Sequence, residues 1–268
     1  MLRIAVFVDG SNLYGSMRVL GFRVENYEAF YGYILEEALK VYSGSVITKD
    51  SLAAQLSRIY WYEVGSIDEW DLDNPENQST LRSWFMESEE PKRTYLALAA
   101  QDFKGRPEEL KEKAWNIIFP KIKSWYNQKR EDVKNRHDFF RAIRSSTDFI
   151  EIIEAGHLKV HMLDQGLAEK GLDTALAVDM VRLTSTYDVA LVITGDADSI
   201  PSIEHVKRAG KHVGIIEFIK GYPPESKGRQ TSSKLKSSAD FVAQIYETEL
   251  KTKGLAMPFE RSASRAKR

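Results

Sequence analysis

The chain has 268 residues, 43% hydrophobic and 29% charged, a composition that supports a core of ordinary size in one large domain or in one domain carrying an insertion. With 38 Lys and Arg against 39 Asp and Glu, the formal charge of −1 excludes a global attraction to polyanions, so nucleic-acid binding has to come from local patches. The absence of cysteine excludes disulfides, zinc–thiolate sites and a thiol nucleophile.

Met1-Leu2-Arg3 opens directly into the apolar run Ile4–Val8, leaving no room for a signal peptide. That β-branched run predicts a buried parallel strand over Arg3 to Val8, followed by Asp9-Gly10-Ser11-Asn12 and a helix starting near Ser11. From Glu28 to Tyr42 the residues Phe30, Ile34, Ala38 and Tyr42 share one side of a second helix, which Gly44 ends. Arg58 to Val64, aromatic and β-branched, is a second strand. Ser66 to Gln78 carries Asp68, Glu69, Asp71, Asp73 and Glu76 without a basic residue and is expected to be an exposed loop. From Pro107 to about Ile153 the pattern is mostly helical, broken or kinked at Pro120.

Strand–helix alternation resumes with His157–Leu163 as a strand, Leu172–Thr186 as a helix and Val189–Thr194 as a strand. Gly195-Asp196-Ala197-Asp198 follows, then a helix from Ile200 to Ala209 with Pro201 in its first turn and Gly210 at its end. His212–Ile216 is the last buried strand, Lys220–Ser233 a loop, Ala239–Leu250 a closing helix and Arg261–Arg268 a basic, disordered tail. The outline is an α/β domain from residues 1–64 and 157–250, an insertion at 65–156 made of an acidic loop and helices, and a basic tail at 251–268. No apolar run approaches the roughly 20 residues of a membrane span. A cytoplasmic enzyme or binding protein is therefore expected.

Lys121 to Arg144 holds eight basic residues (121, 123, 129, 130, 134, 136, 141 and 144) against three acidic ones (131, 132 and 138). Trp115, Trp125, Tyr126, Phe139 and Phe140 are interleaved with or flank them. Cations reach phosphates and rings stack bases, so this is one candidate nucleic-acid surface. The competing reading, an amphipathic insertion whose aromatics form their own small core, is the commoner meaning of such stripes. His157 and His161, four apart on a strand, share a face, but without a neighbouring acidic metal motif a packing or surface role is favoured.

Three polar motifs stand at the carboxyl ends of strands or at helix starts: Asp9-x-x-Asn12, Lys170-Gly171-x-Asp173 and Gly195-Asp196-x-Asp198. Each alone suits an N-cap or a turn. Together they converge on one edge of a parallel sheet, where open α/β sheets bind ligands. Clustered carboxylates repel unless a cation or shared protons offset them, which points to a metal site. No phosphate-cradling Gly-x-x-x-x-Gly-Lys, no dinucleotide Gly-x-Gly-x-x-Gly and no Gly-x-Ser-x-Gly elbow occurs. A phospho-aspartyl nucleophile at Asp9 is disfavoured because Ser11 stands where Asp-x-Asp would need its second carboxylate.

The order Phe-Val-Asp9-Gly-Ser-Asn12-Leu-Tyr, Glu-Lys170-Gly-Leu-Asp173-Thr-Ala-Leu-Ala-Val-Asp179-Met and Val-Ile-Thr-Gly195-Asp196-Ala-Asp198 resembles the NYN domains of the PIN-like nuclease superfamily, in their bacterial LabA-like branch. The resemblance covers about Met1–Val64 and His157–Ala243. It implies a parallel-sheet, Rossmann-like three-layer α/β fold with the helical segment as an insertion. It further implies an acidic cluster binding Mg²⁺ or Mn²⁺ and ribonuclease activity on single-stranded or structured RNA. Asp9 and Asp196 would be the central metal ligands, with Asp173 and Asp198 holding a second ion or orienting water. Asn12 would orient Asp9 or bond a phosphate oxygen, and Ser11 and Lys170 would contact phosphate. Ser199 replaces the Phe that the family commonly has after the second aspartate, loosening that loop or offering a hydroxyl to phosphate. The alternative is an RNA-binding or regulatory NYN protein with little or no catalytic activity. A homo-oligomer or a regulatory protein partner is compatible with either.

Overall fold

The computed structural model describes residues 1–45, 53–101, 103, 105–224 and 231–259. Its elements are β1 (Leu2–Asp9), α1 (Gly10–Leu20), β2 (Phe22–Val24), α2 (Tyr27–Ser45), β3 (Ala54–Ile67), α3 (Pro75–Glu87), α4 (Glu90–Ala100) and α5 (Pro107–Ser146). They continue with β4 (Ile150–His161), β5 (Gly166–Lys170), α6 (Leu172–Arg182), β6 (Val189–Ile193), a 3₁₀ turn (Ala197–Ser199), α7 (Ile200–Arg208) and β7 (His212–Ile219). The last are α8 (Ser233–Ser238), β8 (Phe241–Tyr246), α9 (Glu247–Thr252) and β9 (Ala256–Pro258). The fold is α/β, with a mostly parallel sheet in the strand order β5-β4-β3-β1-β6-β7-β8. The described part divides into two compact units, residues 1–63, 141–155 and 171–268, and residues 64–140 and 156–170.

In the first unit β1 lies between β3 and β6, parallel to both, and β7 and β8 continue the parallel run. Ile4 to Val8 and Val189 to Ile193 are buried along their whole length, the expected state of central strands covered on both faces. α2 packs on β7 and β8, with Phe30 stacked on Phe218 at 6.0 Å. α6 packs on β1 and α7. The expected closing helix is corrected here: Phe241–Tyr246 is strand β8, in register with β7, and only Glu247–Thr252 is helical. Its aromatic and β-branched residues gain a ladder partner and a covered face, and these outweigh the helix-like spacing. β7 likewise runs on to Ile219, so His212–Ile216 is neither the full strand nor the last one. Residues 260–268 of the expected tail, and 225–230 of the expected loop, lie outside the described residues.

In the second unit α3, α4 and α5 pack around Leu81, Phe85, Ala99, Ala114, Ile118 and Ile122, all fully buried. Trp115 and Tyr126 belong to the same cluster, so those aromatics are core, as the packing reading of the insertion expected. The acidic loop is only partly exposed. Leu72 is buried, the Trp70 N–H donates to Tyr126 Oη at 2.7 Å and that hydroxyl donates to the Asp68 carbonyl at 2.8 Å. Helix α3 then starts inside the expected loop, with Asn74 Oδ1 accepting the Glu76 N–H at 2.8 Å. Pro120 does not break α5, which runs unbroken from Pro107 to Ser146. Pro120 and Asn116, the residue whose carbonyl a proline at 120 cannot serve, are both exposed, while Ile118 and Ile122 hold the buried side. The helical pattern ends earlier than expected, because β4 begins at Ile150, and β5 pairs antiparallel with it.

Candidate active site at the carboxyl edge of the sheet

The parallel pairing of β1 with β6 ends at Val8↔Ile193, so the chain leaves both strands side by side, into Asp9-Gly10 and Thr194-Gly195-Asp196. Asp9 is 7% exposed and caps α1, its Oδ1 accepting the Asn12 N–H at 2.9 Å. Asp196 caps the 3₁₀ turn, its Oδ1 accepting the Asp198 N–H at 2.9 Å, while its own N–H donates to Thr194 Oγ1 at 3.1 Å. Each carboxylate thus satisfies an orphan amide of the turn that follows its strand. The Asn12 side chain lies against the loop after β6: a Cβ on Gly195 would stand 2.4 Å from Asn12 Nδ2, so a side chain there would push the amide aside.

The other residues singled out by sequence lie as follows. Asp198 is exposed. Asp173 is half-buried in the first turn of α6, where a negative charge suits the helix dipole, but the cap position belongs to Gly171 at φ 87°, with no side-chain cap. Since α6 leads back to the start of β6, its N-terminus belongs to the carboxyl end of that strand. Ser11 is half-buried on α1, and the Asn12 amide beside it is already taken by Asp9. Ser199 is 2% exposed with its carbonyl accepting the Ser202 hydroxyl at 2.7 Å, which leaves little of it for a phosphate. Lys170 is exposed at the end of β5, in the second unit.

Asp179 is committed elsewhere. Its Oδ2 accepts the Tyr62 hydroxyl at 3.1 Å and its Oδ1 pairs with Arg182 at 2.9 Å. Burial first, and then the Asp179 charge, push the Tyr62 phenol up from its ordinary value. Tyr62 is the β3 partner of Asp9 in the ladder, so this bond fastens α6 to the strand next to the site. In the second unit His157 Nε2 lies 2.5 Å from Asp68 Oδ1 and its Nδ1 lies 3.0 Å from Ser66 Oγ. That is a structural hydrogen-bond line, the role expected of this histidine.

Two buried carboxylates escaped the sequence reading. Glu63, 4% exposed, follows Tyr62 on β3, and its Oε1 would lie 2.1 Å from a Cβ on Gly10. Glu217, 2% exposed on β7, accepts the Thr231 N–H at 2.9 Å and pairs with Lys236 at 3.0 Å. The available signal was a lone carboxylate inside an otherwise apolar strand run, which demands a compensating partner or a function.

Among the described residues no three His, Asp or Glu side chains come together as a metal-holding group. The donor chemistry of the edge nevertheless suits a hard cation: Mg²⁺ binds through one or two carboxylates and completes its shell with water and substrate phosphate. Asp9 and Asp196 leave adjacent strands and offer oxygen donors of that kind.

The NYN domain model matches residues 77–246, more than half of the chain. The chain belongs to the NYN domain family. The family lies within the PIN-like nuclease superfamily, whose members are generally hydrolases that act on RNA and typically use divalent cations. The matched residues contain Asp173, Asp196 and Asp198; Asp9, Asn12 and Glu63 precede them. Among solved structures the chain is similar to a Vibrio parahaemolyticus protein of unknown function at 15% identity, covering 91% of this chain and 93% of that one with a TM-score of 0.43. No curated protein sequence matches. No helix among the described residues is long and apolar enough to cross a membrane.

Proposed function

We propose that this NYN protein is a metal-dependent endoribonuclease of the LabA-like branch, acting on RNA in the cytoplasm at the Asp9–Asp196 edge. The observation that carries this is the Asn12–Gly195 contact, which ties the loop after β1 to the loop after β6 and so brings together two motifs far apart in sequence. Asp9 and Asp196 would hold Mg²⁺ or Mn²⁺, which when bound lowers the pKa of a water and offsets charge on the scissile phosphate. Asn12 fixes the spacing of the two loops. Asp173 and Asp198 would orient the attacking water or add a second ion's ligands, and Ser11 would contact phosphate. Ser199, being buried at the cap position of α7, serves the turn rather than the phosphate.

One observation favours a second reading. Asp196 and Asp198 are exposed and no three acidic groups gather among the described residues, which suits a protein that binds RNA without cutting it. A labelled circular RNA separates the two. Linearisation in Mn²⁺ or Mg²⁺ establishes an endonuclease, whereas retardation of intact circles on a gel, with no linear product, establishes a binder.

A further inference from the structure

Glu217 lies outside the reading above, yet the sheet carries it to the same edge. The β1–β6 register, Val8↔Ile193, carried one residue on, sets Asp9 level with Thr194. The β6–β7 register, Val192↔Ile215, carried two residues on, sets Thr194 level with Glu217. Level residues on parallel strands point to the same face, so Asp9, Thr194 and Glu217 form a row whose ends stand about 10 Å apart, two strand spacings. Thr194 Oγ1 accepts the Asp196 N–H, which ties the middle of the row to the acidic turn. Phe218, the next residue, turns to the opposite face and stacks on Phe30 of α2. Glu217 faces α8 instead, where Lys236 Nζ donates to its Oε1 at 3.0 Å. α8 packs against α7 and against the 3₁₀ turn that holds Asp198. All of these residues belong to the first unit.

The two partners differ in what they have left to offer. The Glu217 side chain is 1% exposed, and both its oxygens are used: Oε1 also accepts the Thr231 N–H at 2.9 Å and Oε2 accepts Gln244 Nε2 at 3.3 Å. The Lys236 side chain is 27% exposed, and among the described residues its ammonium bonds only Glu217, although it carries three N–H donors. A buried carboxylate thus holds the end of a long, flexible cation in one place, on the face and at the edge where Asp9 and Asp196 lie. An edge lined with carboxylates repels a polyanion, and a fixed cation beside it offsets that repulsion. We infer that Lys236, aimed by Glu217, contacts a phosphate of the RNA backbone next to the one held at Asp9 and Asp196. Two of its N–H groups donate to phosphate oxygens while the third stays on Glu217. The inference rests on the nuclease reading only for the presence of RNA at this edge.

The test is fluorescence anisotropy of labelled single-stranded RNA over a series of monovalent salt concentrations. EDTA is present, so that neither cleavage nor divalent competition intervenes. Lys236→Gln should weaken binding about tenfold at low salt. It should also make the fall of log K with log[salt] shallower by about 0.7, the loss of one phosphate contact on a single strand. Lys236→Arg should keep the wild-type slope. The double variant Glu217→Gln, Lys236→Gln has the net charge of the wild-type chain and a neutral hydrogen bond in place of the ion pair, so it serves if the single variant does not fold. Its slope should remain shallow. Wild-type affinity and slope in the double variant, or an unchanged slope in Lys236→Gln, would make the pair structural and overturn the inference. A slope that depends on Lys236 in a protein that never cuts RNA with Mg²⁺ or Mn²⁺ would sink the nuclease reading and leave this one standing. Failure of the wild-type chain to bind RNA would contradict both.

Discussion

Aromatic and charged residues are interleaved in both compact units, and they come to rest in different surroundings. In residues 64–140 and 156–170, Phe85, Trp115 and Tyr126 turn into a common cluster while nearby cations find surface carboxylates: Lys123 with Asp73, Lys129 with Asp132, Arg82 with Glu112. In residues 1–63, Trp61, Tyr27 and Tyr31 gather instead around a buried carboxylate, next to the strand end that carries Asp9. In the first arrangement apolar faces meet each other and charges pair at the surface. The second places a carboxylate that accepts from the Trp61 N–H among rings, with the Tyr31 hydroxyl buried beside them. Interleaving in sequence therefore says little about nucleic-acid binding; where the charge ends up relative to the rings says more.

The largest expected effect sharpens the packing side of this contrast. Phe85→Ala empties a fully buried site in the second unit and should cost about 3–5 kcal/mol in chemical denaturation. A loss below 1 kcal/mol would show that the cluster is not a core. On the functional side, Asp9→Asn should reduce RNA cleavage at least about 100-fold, because the charge is gone. Its stability should change by less than about 1 kcal/mol, because the amide oxygen can still accept the Asn12 N–H. Gly195→Ala should destabilise by about 1 kcal/mol by displacing the Asn12 amide, and pairing it with Asn12→Ala should restore much of that loss. Additive losses in the double variant would mean that the two loops are not in contact.

The smallest effect is electrostatic. The Arg3 side chain and backbone N–H hold Asp188 well below the usual carboxylate range, with Lys211 contributing. A carboxylate whose folded pKa is depressed stabilises the fold at neutral pH, and that contribution fades as pH falls below the ordinary value of about 4 toward the folded one. The pair is partly exposed, so Asp188→Asn should cost less than about 1 kcal/mol at pH 7, and that cost should shrink steadily as pH falls below about 4. A constant difference between the two proteins across that range would assign the effect to packing.

The sheet was most legible where its strands are buried on both faces. Ile4–Val8 and Val189–Ile193 are continuous apolar runs because nothing on either side is wet, and the carboxylates that end them stand out for the same reason. β4 and β8 were not legible in full: Ile150-Glu-Ile152 and Phe241–Tyr246 carry polar residues that also fit a helix, and only their ladder partners decide. Helices α3 and α4 did carry local start signals, the Asn74 cap and a proline in each first turn, set in an acidic stretch that reads as a loop; the uninterrupted course through Pro120 depends on the cluster around Ile118, a tertiary effect. Asp9, Asn12 and Asp196 stood out in the sequence by their position after strands. Glu63 was passed over because a single charge among Tyr60, Trp61, Tyr62 and Val64 does not disturb the strand pattern.

The account turns on the Asp9–Asp196 edge, and the most direct measurement is cleavage of labelled single-stranded RNA by the purified full chain in Mn²⁺ or Mg²⁺. The controls are EDTA, Asp9→Asn and Asp196→Asn. Cleavage by the wild-type chain that disappears in all three controls is the predicted result. Cleavage that persists in EDTA or in either variant, or RNA that is bound and never cut, would contradict it.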